Sequence, residues 1–107
     1  MSEFNEREKG FETGFEISEE LKFRIAARTA RLFGLWAAAQ MGFKDDEAEA
    51  YANKIVDLDL TKSGHSGLLE AIAKDLMSKG ITFTQHRLTR EMEALKFEAR
   101  EQVMTGR

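Results

Sequence analysis

Residues 21–42 read LKFRIAARTARLFGLWAAAQMG, and the fold turns on how this stretch is read. Leu21, Ile25, Leu32, Trp36 and Ala39 recur at helical spacing and make one apolar stripe. Ala26, Ala30, Phe33 and Ala37 make a second stripe about a quarter-turn away. Arg24, Arg28 and Arg31 share the remaining face, continuous with Lys22. A helix with a single apolar stripe lies on a surface, whereas one with two must be wrapped by neighbours. The pattern predicts a central helix around which shorter helices pack. Ser18 is placed to cap it, Glu19 and Glu20 sit where the helix dipole favours negative charge, and Gly42 can end it in the left-handed conformation. Gly34, inside the helix, is expected to mark a close approach rather than a break.

Outward from this helix, three further segments show helical periodicity. Asp45 or Asp46 opens the second, with Asp46 and Glu49 spaced as a capping box and Ala48, Tyr51, Ala52, Ile55 and Leu58 as the inner stripe. It fades at Ser63-Gly64. Ser66 caps a third, whose inner face is Leu69, Ile72, Ala73 and Leu76 and whose stop is Gly80. Ile81-Thr82-Phe83 alternates over too few residues for a strand and reads as a connector that plugs the end of the bundle. Thr84 caps the last helix, along which Leu88, Met92, Leu95, Ala99 and Val103 form a stripe. Four amphipathic segments joined by short loops predict an all-α protein, a four-helix bundle over residues 18–107.

Residues 1–17 differ from the rest. Glu3, Glu6, Glu8, Glu12 and Glu16 face only Arg7 and Lys9, so the segment carries the whole of the chain's formal charge of −3. Its large apolar residues are Phe4, Phe11, Phe15 and Ile17, and the phenylalanines fall on one side if the segment is helical. Gly10 and Gly14 each cost a helix about 1 kcal/mol relative to alanine. Ordering such a segment costs roughly 1–2 kcal/mol per residue in backbone entropy. Burying each phenylalanine returns only about 1.5–3 kcal/mol. The balance predicts a mobile N-terminal arm that becomes an amphipathic helix when a partner supplies a groove.

Composition narrows the function classes. The 107 residues fit one domain, and 33% charged residues with 42% hydrophobic ones leave room for a core plus a polar segment. The absence of cysteine excludes disulfides and thiolate metal sites. The acidic balance argues against a nucleic-acid partner. No apolar run is long enough for membrane insertion, and the N-terminus lacks a signal-peptide pattern, which predicts a cytoplasmic protein. His65 and His86 have no ligand partner at metal-binding spacing, so no metal site is expected. No Ser–His–Asp or paired-carboxylate constellation stands out, so no catalytic residue and no cofactor is assigned, and the chain is not expected to be an enzyme. Lys62-Ser63-Gly64-His65-Ser66-Gly67 is a Gly-rich turn before a helix N-terminus; Gly64, Ser66 and Gly67 could offer backbone amides to an anion. It lacks the spacing of a phosphate-binding P-loop. The alternative function it carries is a bundle that binds a nucleotide such as ADP or ATP, or another small anion, as a sensor.

Gly34-Leu35-Trp36-Ala37-Ala38, preceded by Glu19-Glu20-Leu21-Lys22-Phe23 and Ala27-Arg28, then Ala50-Tyr51-Ala52, and the arm Phe4-Asn5-Glu6-Arg7-Glu8-Lys9-Gly10-Phe11-Glu12 occur in one order and spacing. In these the chain resembles the zeta subunit of alphaproteobacterial F-type ATP synthases, a family of small ATPase inhibitors. The resemblance covers nearly the whole chain and implies a four-helix bundle with a mobile arm, a monomer when free. It implies binding to the alpha, beta and gamma subunits of the catalytic head, peripheral to the inner membrane on its cytoplasmic side. There the arm would fold into a helix at an alpha/beta catalytic interface near gamma and block hydrolysis. The partner-binding residues by matching position are Phe4, Asn5, Glu6, Arg7, Glu8, Lys9, Phe11 and Phe15, with Asn5 where the family pattern has aspartate. Arg24 and Arg28, on the next helix, would continue that surface.

Overall fold

A computed structural model describes residues 18–61 and 66–106. The arm and the turn at 62–65 lie outside the described residues, and with them Gly64 and His65. The described residues form four helices: α1 (Glu19–Gln40), α2 (Asp45–Thr61), α3 (Ser66–Ser78) and α4 (Gln85–Thr105). No strand occurs among the described residues.

The helix ends follow local chemistry. Ser18 Oγ accepts a hydrogen bond from the Leu21 N–H at 3.1 Å, and Thr84 Oγ1 accepts one from the Arg87 N–H at 3.1 Å. At the end of α1, Gly42 adopts φ 84° and donates its N–H to the Ala39 carbonyl at 3.1 Å, while the Phe43 N–H reaches the Ala38 carbonyl at 2.9 Å. This paired closure folds the chain sharply back and brings Phe43 against the core. The same device ends α3, where Gly80 takes φ 76° and the Ile81 N–H meets the Leu76 carbonyl at 2.9 Å. Asp45 opens α2 at φ 49°, a left-handed conformation that a short polar side chain tolerates. The expected capping box at Asp46 does not engage Glu49, whose carboxylate instead reaches across to Arg31 of α1 at 2.7 Å.

All four helices feed one core. Ala30, Phe33, Ala37 and Ala38 of α1 meet Tyr51 and Ile55 of α2, Leu68, Ile72 and Leu76 of α3, and Leu88 and Met92 of α4. Each fully buried Phe, Ile or Leu here contributes about 1.5–3 kcal/mol. Helix α1 packs against each of the other three, and its largest interfaces are with α2 and α4, whose backbones do not approach one another closely among the described residues. It is therefore the central helix, as its two stripes predict. The stripes are unequal, however. In the second, Ala30, Phe33 and Ala37 are fully buried and Ala26 is half-buried; in the first, Ile25 is buried, Leu21, Leu32 and Trp36 are half-buried and Ala39 is exposed. The buried face is completed by Gly34, Ala38 and Thr29, whose Oγ1 donates to the Ile25 carbonyl at 2.8 Å. In α3 the inner face is centred on Leu68, Ile72 and Leu76, with Leu69 and Ala73 half-buried at its edge. Along α4, Leu88, Met92 and Ala99 are buried while Leu95 and Val103 are half-buried. The 81–84 connector does plug the bundle: Ile81 and Phe83 pack on the core, and the Phe83 ring lies 5.4 Å from that of Trp36.

Two contacts define how closely α2 is held. A Cβ added at Gly34 would lie 3.0 Å from the Ala52 Cα and 3.3 Å from the Ile55 Cβ, so α1 and α2 approach backbone to backbone there. One turn before Ile55 in α2, the Tyr51 hydroxyl donates to Asp75 Oδ2 of α3 at 2.8 Å. Burial, reinforced by the hydrogen bond to Asp75 and by its charge, holds the Tyr51 phenol above its ordinary value.

Gly34→Ala should therefore destabilise the protein even though alanine favours a helix by about 1 kcal/mol, because overpacking against backbone costs roughly 1–3 kcal/mol. Urea unfolding checks this, and a more stable Gly34→Ala protein would contradict the close approach. For Tyr51 the folded state retains its proton to higher pH than the unfolded chain does. That contribution is complete below about pH 10, the ordinary tyrosine value, and is lost as the pH rises from there toward the folded value. Because the chain has 1 tyrosine, tyrosinate absorbance reports this group alone, and it should appear together with unfolding. Titration of a folded protein at the ordinary value would refute the buried pair.

Candidate functional site

The arm residues assigned to partner binding, Phe4, Asn5, Glu6, Arg7, Glu8, Lys9, Phe11 and Phe15, lie outside the described residues. What the structure does show is the surface from which they are presented. The arm joins the bundle at Ser18, one helical turn from Lys22 and Phe23 and less than two from Arg24. Phe23 is 57% exposed there, beside the arginine face.

Arg24, Arg28 and Arg31 do share one side of α1, but their situations differ. Arg28 is half-buried and its Nη1 donates to Gln102 Oε1 of α4 at 2.7 Å, while Gln102 Nε2 donates to Glu98 Oε2 at 3.2 Å. Arg31 is committed to Glu49 of α2 at 2.7 Å. Arg24 is exposed and makes no hydrogen bond or ion pair among the described residues. The three line a groove of about 390 Å³ whose walls include Phe23, Ala27, Val56 and Val103. Two of the arginines thus tie α1 to its neighbours, and Arg24 with Phe23 remains outward-facing.

A second groove, of about 440 Å³, lies on the other flank of the first turns of α1, between it and α4. Ile25, Ala26 and Phe97 give it an apolar lining, and Lys22, Lys96, Arg100 and Glu93 surround it. Phe97 is 68% exposed. The sequence reading missed this groove. Its trace was a phenylalanine on α4 that falls off the Leu88–Val103 stripe, two residues past Leu95 and so on the opposite side of the helix.

Of the positions assigned to an anion, Ser66 and Gly67 open α3, and Gly64 lies outside the described residues. His86 is exposed in the first turn of α4. Among the described residues no group of three His, Cys, Asp or Glu side chains is placed to hold a metal ion, and no helix is long and apolar enough to cross a membrane.

Comparisons with known proteins bear on the whole chain. The family model described as ATPase inhibitor subunit zeta matches residues 1–102. A chain described as the solution NMR structure of a protein superposes with a TM-score of 0.70 at 31% sequence identity, over 81% of this chain and 99% of that one. A comparison with curated proteins finds no match. The fold, the motif order and a family match over nearly the full length agree: the chain belongs to the ATPase inhibitor subunit zeta family, whose role is regulatory and directed at the ATP synthase.

Proposed function

We propose that this protein inhibits ATP hydrolysis by the catalytic head of the F-type ATP synthase through residues 1–17. The observation that carries the reading is the extent of the family match, which begins at residue 1 and so takes in the acidic, phenylalanine-bearing arm as well as the bundle. On this reading the arm folds into a helix at an alpha/beta catalytic interface near gamma and obstructs rotation in the hydrolytic direction. Phe4, Phe11 and Phe15 share one side of such a helix and supply its apolar anchors, with Phe11 and Phe15 dominant. Glu6, Arg7, Glu8 and Lys9 make rim pairs, and Asn5 offers a neutral hydrogen-bonding group beside them. The bundle acts as the base that holds the arm, on the cytoplasmic side and peripheral to the membrane.

The arginine face supports an extension of this surface in a restricted form. Arg28 and Arg31 are engaged with Gln102 and Glu49, so Arg24 and the exposed Phe23 beside it are the residues available to a partner. The alternative of an anion sensor draws no support from these arginines for the same reason.

Adding the full chain to the isolated catalytic head should suppress ATP hydrolysis, and a chain beginning at Ser18 should not. If neither changes hydrolysis at saturating concentration, the inhibitory reading fails. Phe11→Ala and Phe15→Ala should each raise the half-inhibitory concentration by roughly 30-fold, corresponding to an anchor worth about 2 kcal/mol. Arg24→Glu should slow association and weaken its salt dependence while leaving dissociation nearly unchanged, as rim charges do. A change confined to dissociation would place Arg24 in the interior of the interface instead.

A further inference from the structure

The groove between α1 and α4 has features that the packing of the bundle does not explain. Phe97 is the most exposed large hydrophobic residue among those described, at 68%, yet it lies beside the buried Ile25 and opens onto a concave space of about 440 Å³. That volume is within the range of roughly 300–1,000 Å³ typical of binding clefts. Lys96 and Arg100 stand on its α4 side and make no hydrogen bond or ion pair among the described residues, whereas in the neighbouring groove Arg28 is hydrogen-bonded to Gln102 and Arg31 is paired with Glu49. Lys22 lies on its α1 side, 3.3 Å from the exposed Glu19 of its own helix, and Glu93 is the one acid in the lining. The groove is thus apolar within and net basic around.

We propose that residues 11–17 of this same chain occupy the groove when no partner is bound. Phe11 and Phe15 lie against Phe97, Ile25 and Ala26, and Glu12 and Glu16 face Lys96 and Arg100. Three observations select this occupant. The chain outside the bundle enters it at Ser18, one turn before Lys22. Residue 15 can extend about 10 Å from Ser18, and Lys22 lies about 6 Å along α1, so a reversal at 16–18 brings Phe15 over the near end of the groove. Four further residues carry Phe11 past Ile25 and Ala26. The charges are complementary: residues 1–17 hold the whole formal charge of −3, and the groove presents three cations against Glu93. The contact is also economical in order, since it fixes only the seven residues nearest the bundle. The arm then has a resting place on its own bundle, and reaching a partner requires leaving it. The contact is internal and does not depend on whether the arm inhibits hydrolysis.

The chain contains no cysteine, so Thr13→Cys accepts a single nitroxide spin label. In the isotope-labelled full chain, the label should broaden the amide signals of Glu93–Arg100, while those near Gln40, about 27 Å from Lys22 along α1, stay sharp. Lys96→Glu combined with Arg100→Glu should remove most of the α4 broadening and leave only what the tether at Ser18 produces. Both groups are exposed, so the variant should keep the wild-type pattern of core amide shifts, and Phe97→Ser provides a second, uncharged disruption. Equal broadening of Glu93–Arg100 in the wild type and in both variants would overturn the proposal. So would broadening that appears only when spin-labelled chains are mixed with isotope-labelled unmodified ones, which would make the occupant a second copy.

Discussion

The close approach of α1 and α2 at Gly34 is the constraint on which the rest of the bundle depends. With 3.0 Å between a notional Gly34 Cβ and the Ala52 Cα, the two backbones sit too near for a side chain at position 34 without a shift. Ala30, Ala37 and Ala38 keep the same face of α1 low, so Ile55 and Tyr51 reach the axis of the bundle instead of being held off it. Small residues on one face of a helix do not themselves bury much area. They allow large residues from neighbours to be buried fully, and here they let α3 and α4 close over the same cluster.

That arrangement leaves α1 in contact with every other helix and its first turns comparatively bare. α2 lies on one side of it and α4 on another, and the backbones of these two stay apart. A groove forms on each flank of the N-terminal half of α1, and both are edged with cations. The arm leaves from this same end. By sequence that segment is acidic, so opposite charges meet at the end of the bundle where the two grooves lie. In the groove beside α2 the arginines are largely spent on Glu49 and Gln102, so its charge holds the bundle together. In the other groove Lys22 is paired with Glu19 of its own helix, while Lys96 and Arg100 make no ion pair among the described residues.

Much of this was legible in the residues. Ser18 and Thr84 act as caps, Gly42 and Gly80 close α1 and α3, and Gly34 marks a contact, because each depends on chemistry within a few residues of the chain. Less legible was the rotation of each helix about its own axis. Leu68 and Leu69 are adjacent leucines, and periodicity alone does not say which one meets Ile72's neighbours in the core. Glu49 had the spacing of a capping box, but an arginine on another helix offered its carboxylate a charged partner. Phe97 illustrates the limit most directly: it is an apolar residue on a polar face, and only the position of α1 turns it from an isolated exposed ring into the wall of a groove.

By itself, then, the sequence determined the helical class, the helix ends, the central place of residues 21–42, the separate character of residues 1–17 and the family to which the chain belongs. These follow from periodicity, capping and ordered motifs, all of which act over short stretches. The tertiary structure decided which stripe of α1 is the more deeply buried, which arginines are committed and where cationic grooves form. Those outcomes depend on how far apart the helix axes lie and how each helix is rotated. The axis separation is set at Gly34 and Ala52, two positions 18 residues apart that no local pattern connects.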